Sequence, residues 1–246
     1  MIVHAAALLV ICSQLVAQAP AFEVASIKIH PSPPSIIRFS TSGPQFKAEA
    51  EMAGGLVMYA YNLERYQLAF ASPKLAFDDV YFDIVAKADG DRARTTNEFR
   101  QMMQSLLADR FQLKVHREMR ELPVFVLVVG KSGPKFKESA PDTQPSGRHT
   151  MNGRNQVMTL TAVNMDEVVQ SLQVYAGRPV LNKTGLTGTY DVKMEATPSF
   201  RINSNPDPAD ISVFDAVQVQ LGLKLEAQKA MIEVLVVDHI EKPTEN

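Results

Sequence analysis

The sequence contains no tryptophan and only one cysteine among its 246 residues. A single cysteine cannot form an internal disulfide. Because Cys12 lies in an N-terminal apolar run, the rest of the chain has no thiol to ligate a metal or attack a substrate. The net charge is −2, so there is no positive excess to attract nucleic acid or an anionic membrane. Hydrophobic residues make up 46% of the chain, enough for hydrophobic cores. We therefore expect a globular protein that does not bind nucleic acid.

The N-terminal apolar run, Ala5–Val16, indicates export. It is shorter than the roughly 20 residues that span a bilayer, but it has the length of a signal-peptide core, roughly 7–15 residues. Small residues follow it, and we predict cleavage after Ala21. Residues 1–21 would then be a signal peptide, with no membrane span in the mature protein, which would be periplasmic or extracellular. An N-terminal membrane anchor and a frayed tail are the alternatives.

Hydrophobic periodicity predicts helices and strands along the whole remaining chain. Phe22–Ile29 alternates between apolar and polar residues, which is typical of a half-buried strand. Thr95 and Glu98 form a capping box in front of apolar residues at helical spacing, and Asn164 with Glu167 forms a second one. We therefore predict a helix after each box.

The sequence also contains an internal repeat. The segments 81–84 and 189–192 are similar, as are 126–129 and 234–237, and both pairs are 108 residues apart (189 − 81 and 234 − 126). Two apolar-rich strand pairs, within 113–129 and 223–237, are predicted to be hairpins that close their units. These observations predict an α+β fold of two tandem similar units, each a small mixed sheet with two helices, produced by internal duplication.

The predicted units span residues 22–137 and 155–246. Between them, residues 138–154 are rich in Ser, Gly, Pro and charged residues and lack periodicity, so we predict a linker there.

No known catalytic or ligand-binding pattern is complete. The four histidines outside the N-terminal segment, at positions 30, 116, 149 and 239, are not spaced as metal ligands. Gly130–Gly133 follows an apolar strand as a phosphate-binding loop does, but Phe125 stands where that loop needs a glycine. We expect no metal and no cofactor, we assign no catalytic residue, and we favour a protein that is not an enzyme.

Four residues are of interest as weak site candidates. Asp83 and Asp191 occupy equivalent positions of the repeat, where either a structural hydrogen bond to a neighbouring turn or a catalytic carboxylate is possible. Tyr61 and Tyr66 belong to an aromatic group that could fill the core or line a small-ligand cleft between the units.

Five separated motifs resemble a family of proteins. They are residues 22–28, 104–111, 114–118, 183–191 and 221–226. This set is similar to the soil-associated family, which comprises exported bacterial proteins of unknown function. Met52–Gly55 departs from the family pattern, because these proteins usually have a better helix start there.

More distantly, each half is similar to the short N-terminal domain of secretins and TonB-dependent receptors, a periplasmic interaction module. The two resemblances imply a non-catalytic binding or interaction module of the bacterial cell envelope. Its partner would be an envelope protein or a small ligand. The alternative is a hydrolase or sugar-active enzyme with a site between the two units.

Overall fold

The computed structural model describes residues 19–31, 37–77 and 79–243. Most of the predicted signal peptide, residues 1–18, lies outside these ranges. The strands are β1 (Phe22–Ile29), β2 (Arg38–Ser42), β3 (Gln45–Met52), β4 (Leu68–Phe70), β5 (Tyr81–Ala88), β6 (Lys114–Val129), β7 (Lys137–Glu138), β8 (Ser146–Asn152), β9 (Asn155–Val163), β10 (Val180–Asn182), β11 (Tyr190–Ala196) and β12 (Leu223–His239). The helices are α1 (Ala53–Tyr61), α2 (Thr96–Arg110), α3 (Met165–Ala176), α4 (Ser199–Ser204) and α5 (Val213–Ala216), the last continued by a π-helical turn, Val217–Leu221. The α+β prediction is confirmed.

The chain divides into two compact units. Unit 1 comprises residues 1–116 and 235–246, and unit 2 comprises residues 117–234. This division differs from the predicted boundaries at 137 and 155.

Unit 1 contains an antiparallel sheet with the order β1-β5-β3-β2. Its core is formed by the inner face of this sheet and the apolar faces of α1 and α2. Along β5, every second side chain from Phe82 to Ala88 is buried, as the two-residue period of a strand requires. The capping box before α2 is confirmed, since the Thr95 hydroxyl accepts from the Glu98 N–H and the Glu98 carboxylate accepts from the Thr95 N–H.

Unit 2 contains an antiparallel sheet with the order β7-β11-β9-β8. Helices α3 and α5 supply the other half of its core. The capping box before α3 is confirmed as well, and Gly177 ends that helix in the left-handed conformation with φ of 62°.

The two predicted hairpins are wrong. Strands β6 and β12 are continuous, with 16 and 17 residues, and each belongs to both units. Leu223 and Leu225 of β12 lie in the core of unit 2, whereas Leu235 and Val237 lie in the core of unit 1.

Strand β6 is also divided between the two units. Its apolar second part contributes Phe125 and Leu127 to the core of unit 2. The segments between the two arms of each predicted hairpin, 119–123 and 230–231, contain no Gly, Asn or Asp. These are the residues that favour the left-handed backbone of tight hairpin turns, so the strands continue without reversing.

Short parallel strands complete the pairing in each unit. In unit 1, β4 pairs in parallel with Leu235–Val237 of β12. In unit 2, β10 pairs in parallel with 125–127 of β6. In each long strand, therefore, the first part belongs to one unit and the second part completes the strand pairing of the other.

The residues predicted as a linker, 138–154, contain strand β8. Its seven residues are all exposed, since β8 is the last strand of its sheet. An exposed edge strand buries neither face deeply and therefore lacks the apolar alternation by which strands are recognised.

Candidate functional site

Asp83, on β5, holds a backbone irregularity of the neighbouring strand. Its Oδ1 accepts a hydrogen bond of 2.8 Å from the N–H of Ala50, which has φ of 54°. The pairing register between β3 and β5 shifts at this point, between Ala48 and Glu51. A bulge leaves a backbone N–H without a strand partner, and the carboxylate binds it. The other oxygen, Oδ2, lies 3.0 Å from His30 Nδ1.

Asp191, on β11, makes the equivalent contact in unit 2. Its Oδ1 accepts a hydrogen bond of 3.0 Å from the N–H of Ala162, which has φ of 53°. The register between β9 and β11 also shifts here. The third partner differs, because the Ser139 hydroxyl donates to Asp191 at 2.6 Å.

Hydrogen bonding keeps both aspartates ionised. Burial alone would raise the pKa of Asp83, but the bonds from His30 and Ala50 outweigh it and hold the pKa below its ordinary value. The pKa of Asp191 is lowered mainly by the Ser139 hydroxyl and also by the Ala162 N–H. These contacts favour the structural interpretation of both residues over a catalytic one.

The two tyrosine candidates lie in unit 1. Tyr61 is at the end of α1, is half-buried and packs against the hydrophobic core. Tyr66 lies in a short 3₁₀ turn before β4 and is also half-buried. The packing of Tyr61 favours its interpretation as a core residue.

The histidines are dispersed. His116 Nδ1 lies 2.8 Å from Asp238 Oδ2 in unit 1, and His239 Nε2 lies 2.9 Å from Glu241. Among the residues that the structure describes, no three His, Cys, Asp or Glu side chains form a group that could hold a metal ion.

The glycine-rich turn after β6 packs against the end of a helix. The Gly130 N–H donates to the Gly222 carbonyl at 2.9 Å. Gly222 has φ of 67°, and a Cβ there would lie 2.0 Å from the Gly133 carbonyl oxygen. The Lys135 ammonium donates to the carbonyl of Val219. The turn therefore caps the π-helical turn, which favours a structural role over phosphate binding.

A buried carboxylate at the start of α1 was missed by sequence reasoning. Glu51 is only 6% exposed, and its Oε1 accepts a hydrogen bond of 3.0 Å from the Met52 N–H. Burial raises the pKa of Glu51, and the bond from Met52 offsets part of this rise. A Cβ on Gly55 would lie 2.0 Å from Glu51 Oε1. The glycine that weakens the helix start in the sequence therefore makes room for the carboxylate.

Strand β8 is the second feature that sequence reasoning missed. Within the described ranges, β9 is the only strand that pairs with it, so one of its edges is open. The pairing with β9 is regular from Ser146↔Thr161 to Asn152↔Asn155. A two-residue connection, Gly153 and Arg154, joins the strands.

The pairing decides which backbone groups of β8 are available. Residues that flank a two-residue hairpin loop exchange both of their hydrogen bonds, and this alternates along the ladder. Asn152, Thr150 and Arg148 therefore bond to β9, whereas Met151 and His149 point their N–H and C=O groups to the open edge. Together β8 and β9 contain Arg148 and His149 but no acidic residue.

No helix in the described part of the chain is both long enough and apolar enough to cross a bilayer.

Comparison with protein-family models gives one assignment. Residues 54–240 match the family described as "Protein of unknown function (DUF3738)", which is more than half of the chain. The chain belongs to this family. Comparisons with curated proteins and with solved structures found no match. The family description of DUF3738 carries no function, so a function has to be argued from the geometry.

Proposed function

We propose that this DUF3738 protein is an exported, non-catalytic binding module of the bacterial cell envelope, and that it accepts an extended segment of a partner protein along β8. The observation that carries this proposal is the open edge of β8, which is seven residues long and exposed throughout. An unpaired strand edge is a template for another strand, and proteins that bind peptides by strand addition use such edges.

Charge complementarity specifies the partner segment. Arg148 and His149 are exposed on β8, and no carboxylate of β8 or β9 lies opposite them. Met151 is 52% exposed and offers an apolar contact. The segment that fits this edge is extended, bears Asp or Glu, and places an apolar side chain near Met151.

Catalysis has less support. The alternative of a hydrolase or sugar-active enzyme depends on Asp83, Asp191 or the residues around His149. Each of the two carboxylates binds the N–H of a bulged alanine, and His149 lies on strand β8. Neither carboxylate needs a reaction to explain its position.

The proposal includes an origin by duplication and a relationship to the soil-associated family and to the secretin and TonB short domain. Two observations support duplication. The two sheets have the same order when β7, β8, β9 and β11 are matched to β1, β2, β3 and β5, and both contain the aspartate–alanine contact at equivalent places.

Export has a direct test. Residues 1–30 are fused to alkaline phosphatase, an enzyme that needs disulfides formed outside the cytoplasm, and expressed in a bacterium. We expect activity, and none from a fusion that lacks residues 1–21. An inactive fusion contradicts the export part of the proposal.

Strand addition is tested with one variant and a matched control. His149→Pro removes an outward N–H of β8 and leaves the bonds to β9 intact. Thr41→Pro removes an outward N–H of β2, the edge strand of unit 1, whose hairpin also has a two-residue loop. Thermal unfolding followed by circular dichroism establishes that both variants fold.

The measurement is binding of displayed random peptides of about ten residues to the full chain. We expect the selected peptides to be rich in Asp and Glu. We expect their affinity to fall by about tenfold or more in His149→Pro, because main-chain bonds carry the interaction, and to stay unchanged in Thr41→Pro. Peptide binding should also slow hydrogen exchange at the amides of His149 and Met151. Failure to select any peptide, or equal binding by the two variants, overturns the proposal.

A further inference from the structure

A cavity in unit 2 combines an aromatic wall with a single cationic side chain. Its volume is about 470 Å³, within the range of small-ligand sites, about 300–1,000 Å³. It lies between the end of α3, helix α4 and the start of α5, with β6 beside them. The side chains that matter for its chemistry are Phe125, Tyr175, Arg178, Ser199, Asn203 and Phe214.

The aromatic wall is partly open to solvent. The Phe125 and Phe214 rings meet edge to face with centres 4.9 Å apart. Phe125 is buried, but Phe214 is 43% exposed, although a large apolar side chain usually lies in the core. Tyr175 is fully buried at the same cavity, and burial raises its pKa to about 12, so its hydroxyl stays neutral. The wall therefore offers apolar surface to a ligand without adding negative charge.

Arg178 is held over this wall. Its guanidinium carbon lies 5.4 Å from the centre of the Phe125 ring, within the distance of a cation–π interaction. No carboxylate among the described residues lies within ion-pairing distance of it, although Asp210 pairs with Arg154 and Glu98 with Arg92. A guanidinium that lies over a ring keeps the N–H groups at its edge available. Two of these groups can donate in parallel to the two oxygens of a carboxylate.

We propose that this cavity binds an apolar carboxylate. The carboxylate group pairs with Arg178, and the hydrocarbon or aromatic body packs against Phe125 and Phe214. Ser199 and Asn203 line the polar side of the cavity and supply further hydrogen-bonding groups. The same chemistry is found in a free aliphatic or aromatic acid and in a peptide chain that ends in an apolar residue. This site does not depend on strand addition at β8.

The test measures binding to the full chain by titration calorimetry. The probes are octanoate and 4-phenylbutyrate, their alcohols 1-octanol and 4-phenylbutanol, and a short peptide ending in Phe with either a free or an amidated C-terminus. We expect each acid to bind at least about tenfold more tightly than its alcohol, because only the acid pairs with the guanidinium.

Matched variants locate the site. Arg178→Gln removes the charge, and Arg178→Lys keeps the charge but loses the fork. Arg201→Gln is the control, since Arg201 also lies over a phenylalanine ring, that of Phe200, but does not line the cavity. We expect Arg178→Gln to lose about tenfold in acid affinity or more, Arg178→Lys to lose less, and Arg201→Gln to bind as the unchanged protein does.

The probes distinguish the two possible kinds of ligand. Tighter binding of the free-ended peptide than of the small acids identifies a chain terminus as the ligand, and the reverse identifies a small acid. Equal binding of acid and alcohol, undiminished acid binding in Arg178→Gln, or no binding of any probe overturns the proposal, while peptide selection at β8 is judged separately.

Discussion

In both units an aspartate binds a backbone N–H that has no strand partner, but the side chain that contacts the aspartate differs between them. This N–H belongs to an alanine in the left-handed conformation where the sheet register shifts. The second contact to that aspartate comes from an imidazole in unit 1, His30, and from a hydroxyl in unit 2, Ser139. The carboxylate is thus the constant part of the arrangement, and its donor is interchangeable.

The helix that follows each bulge differs more. In unit 2, Asn164 caps α3 by accepting from the N–H groups of Asp166 and Glu167. In unit 1, Met52 occupies the capping position and has no side-chain oxygen to accept from the first turn. The Met52 N–H donates to the preceding Glu51, as the Asn164 N–H donates to Glu167 in unit 2. Burying the Glu51 carboxylate requires Gly55, whereas an exposed cap makes no such demand. The residue at the capping position of a helix therefore determines which residues are needed beside it.

The largest expected effect concerns the strand that unit 1 receives from the end of the chain. A fragment of residues 22–137 lacks Leu235, Val237 and Ile240, all buried in the core of unit 1. Each buried apolar side chain contributes about 1.5–3 kcal/mol, and the sum is comparable with the whole stability of a typical domain, about 5–15 kcal/mol. We expect no cooperative thermal unfolding from this fragment, measured by circular dichroism.

A peptide of residues 232–243, added to this fragment, is the control. It supplies the missing strand and should restore a cooperative transition that depends on peptide concentration. Independent folding of residues 22–137 would show that the folding units have the boundaries predicted from the sequence, and not the boundaries by which β6 and β12 belong to both units.

The next effect concerns the buried glutamate and the two glycines of α1. Gly55→Ala places a Cβ against the Glu51 carboxylate, so this side chain must turn away and lose its bond from the Met52 N–H, and the protein should be destabilised by about 1 kcal/mol. Gly54→Ala is the matched control, since its Cβ would lie 3.6 Å from the Leu68 side chain, an ordinary contact, and alanine favours a helix by up to about 1 kcal/mol. Urea unfolding measures both variants. Equal effects of the two substitutions would refute the role assigned to Gly55.

A smaller, local effect is expected from the aspartates. Asp83→Ala removes the carboxylate that accepts from the Ala50 N–H, whereas Asp191→Ala leaves the Ala162 N–H with the Ser139 hydroxyl oxygen at 3.1 Å. Amide hydrogen exchange should accelerate on the order of tenfold at Ala50 in the first variant and by less at Ala162 in the second, with little change in the other unit. Protection that stays unchanged in both variants would separate these aspartates from the bulges.

The smallest effect is a pH dependence that distinguishes the two units. Both aspartates have pKa values lowered by folding, so the stability they contribute is present above the unfolded pKa, about 3.9. It is lost as pH falls below this value through the folded pKa. His30→Ala should raise the pKa of Asp83 alone, and Ser139→Ala that of Asp191 alone, each measured by carboxyl chemical shifts in an NMR titration. A shift of both aspartates in either variant would contradict the local origin of the effect.

Much of the local structure could be predicted from the sequence. The capping boxes at Thr95 and Asn164 and the glycine after α3 depend on contacts within a few residues, and all three are present. Strand β1 is also present, but its alternation is interrupted by a register shift after Phe22, so that Val24 is exposed. The matched positions of Asp83 and Asp191 were likewise visible in the repeat. Their bulged partners, Ala50 and Ala162, were not, because alanine does not favour a positive φ and only pairing with a neighbouring strand imposes it.

Only the tertiary structure decided which unit each apolar segment joins. The apolar run from Leu235 to Val237 is predicted to be buried, but its sequence does not indicate which of the two cores it joins. Hydrophobic burial is not directional, so the same run fits a hairpin within one unit or a strand shared with the other. The aromatic wall beside Arg178 likewise depends on the tertiary structure, since Phe125, Arg178 and Phe214 are distant in sequence and meet only when unit 2 folds.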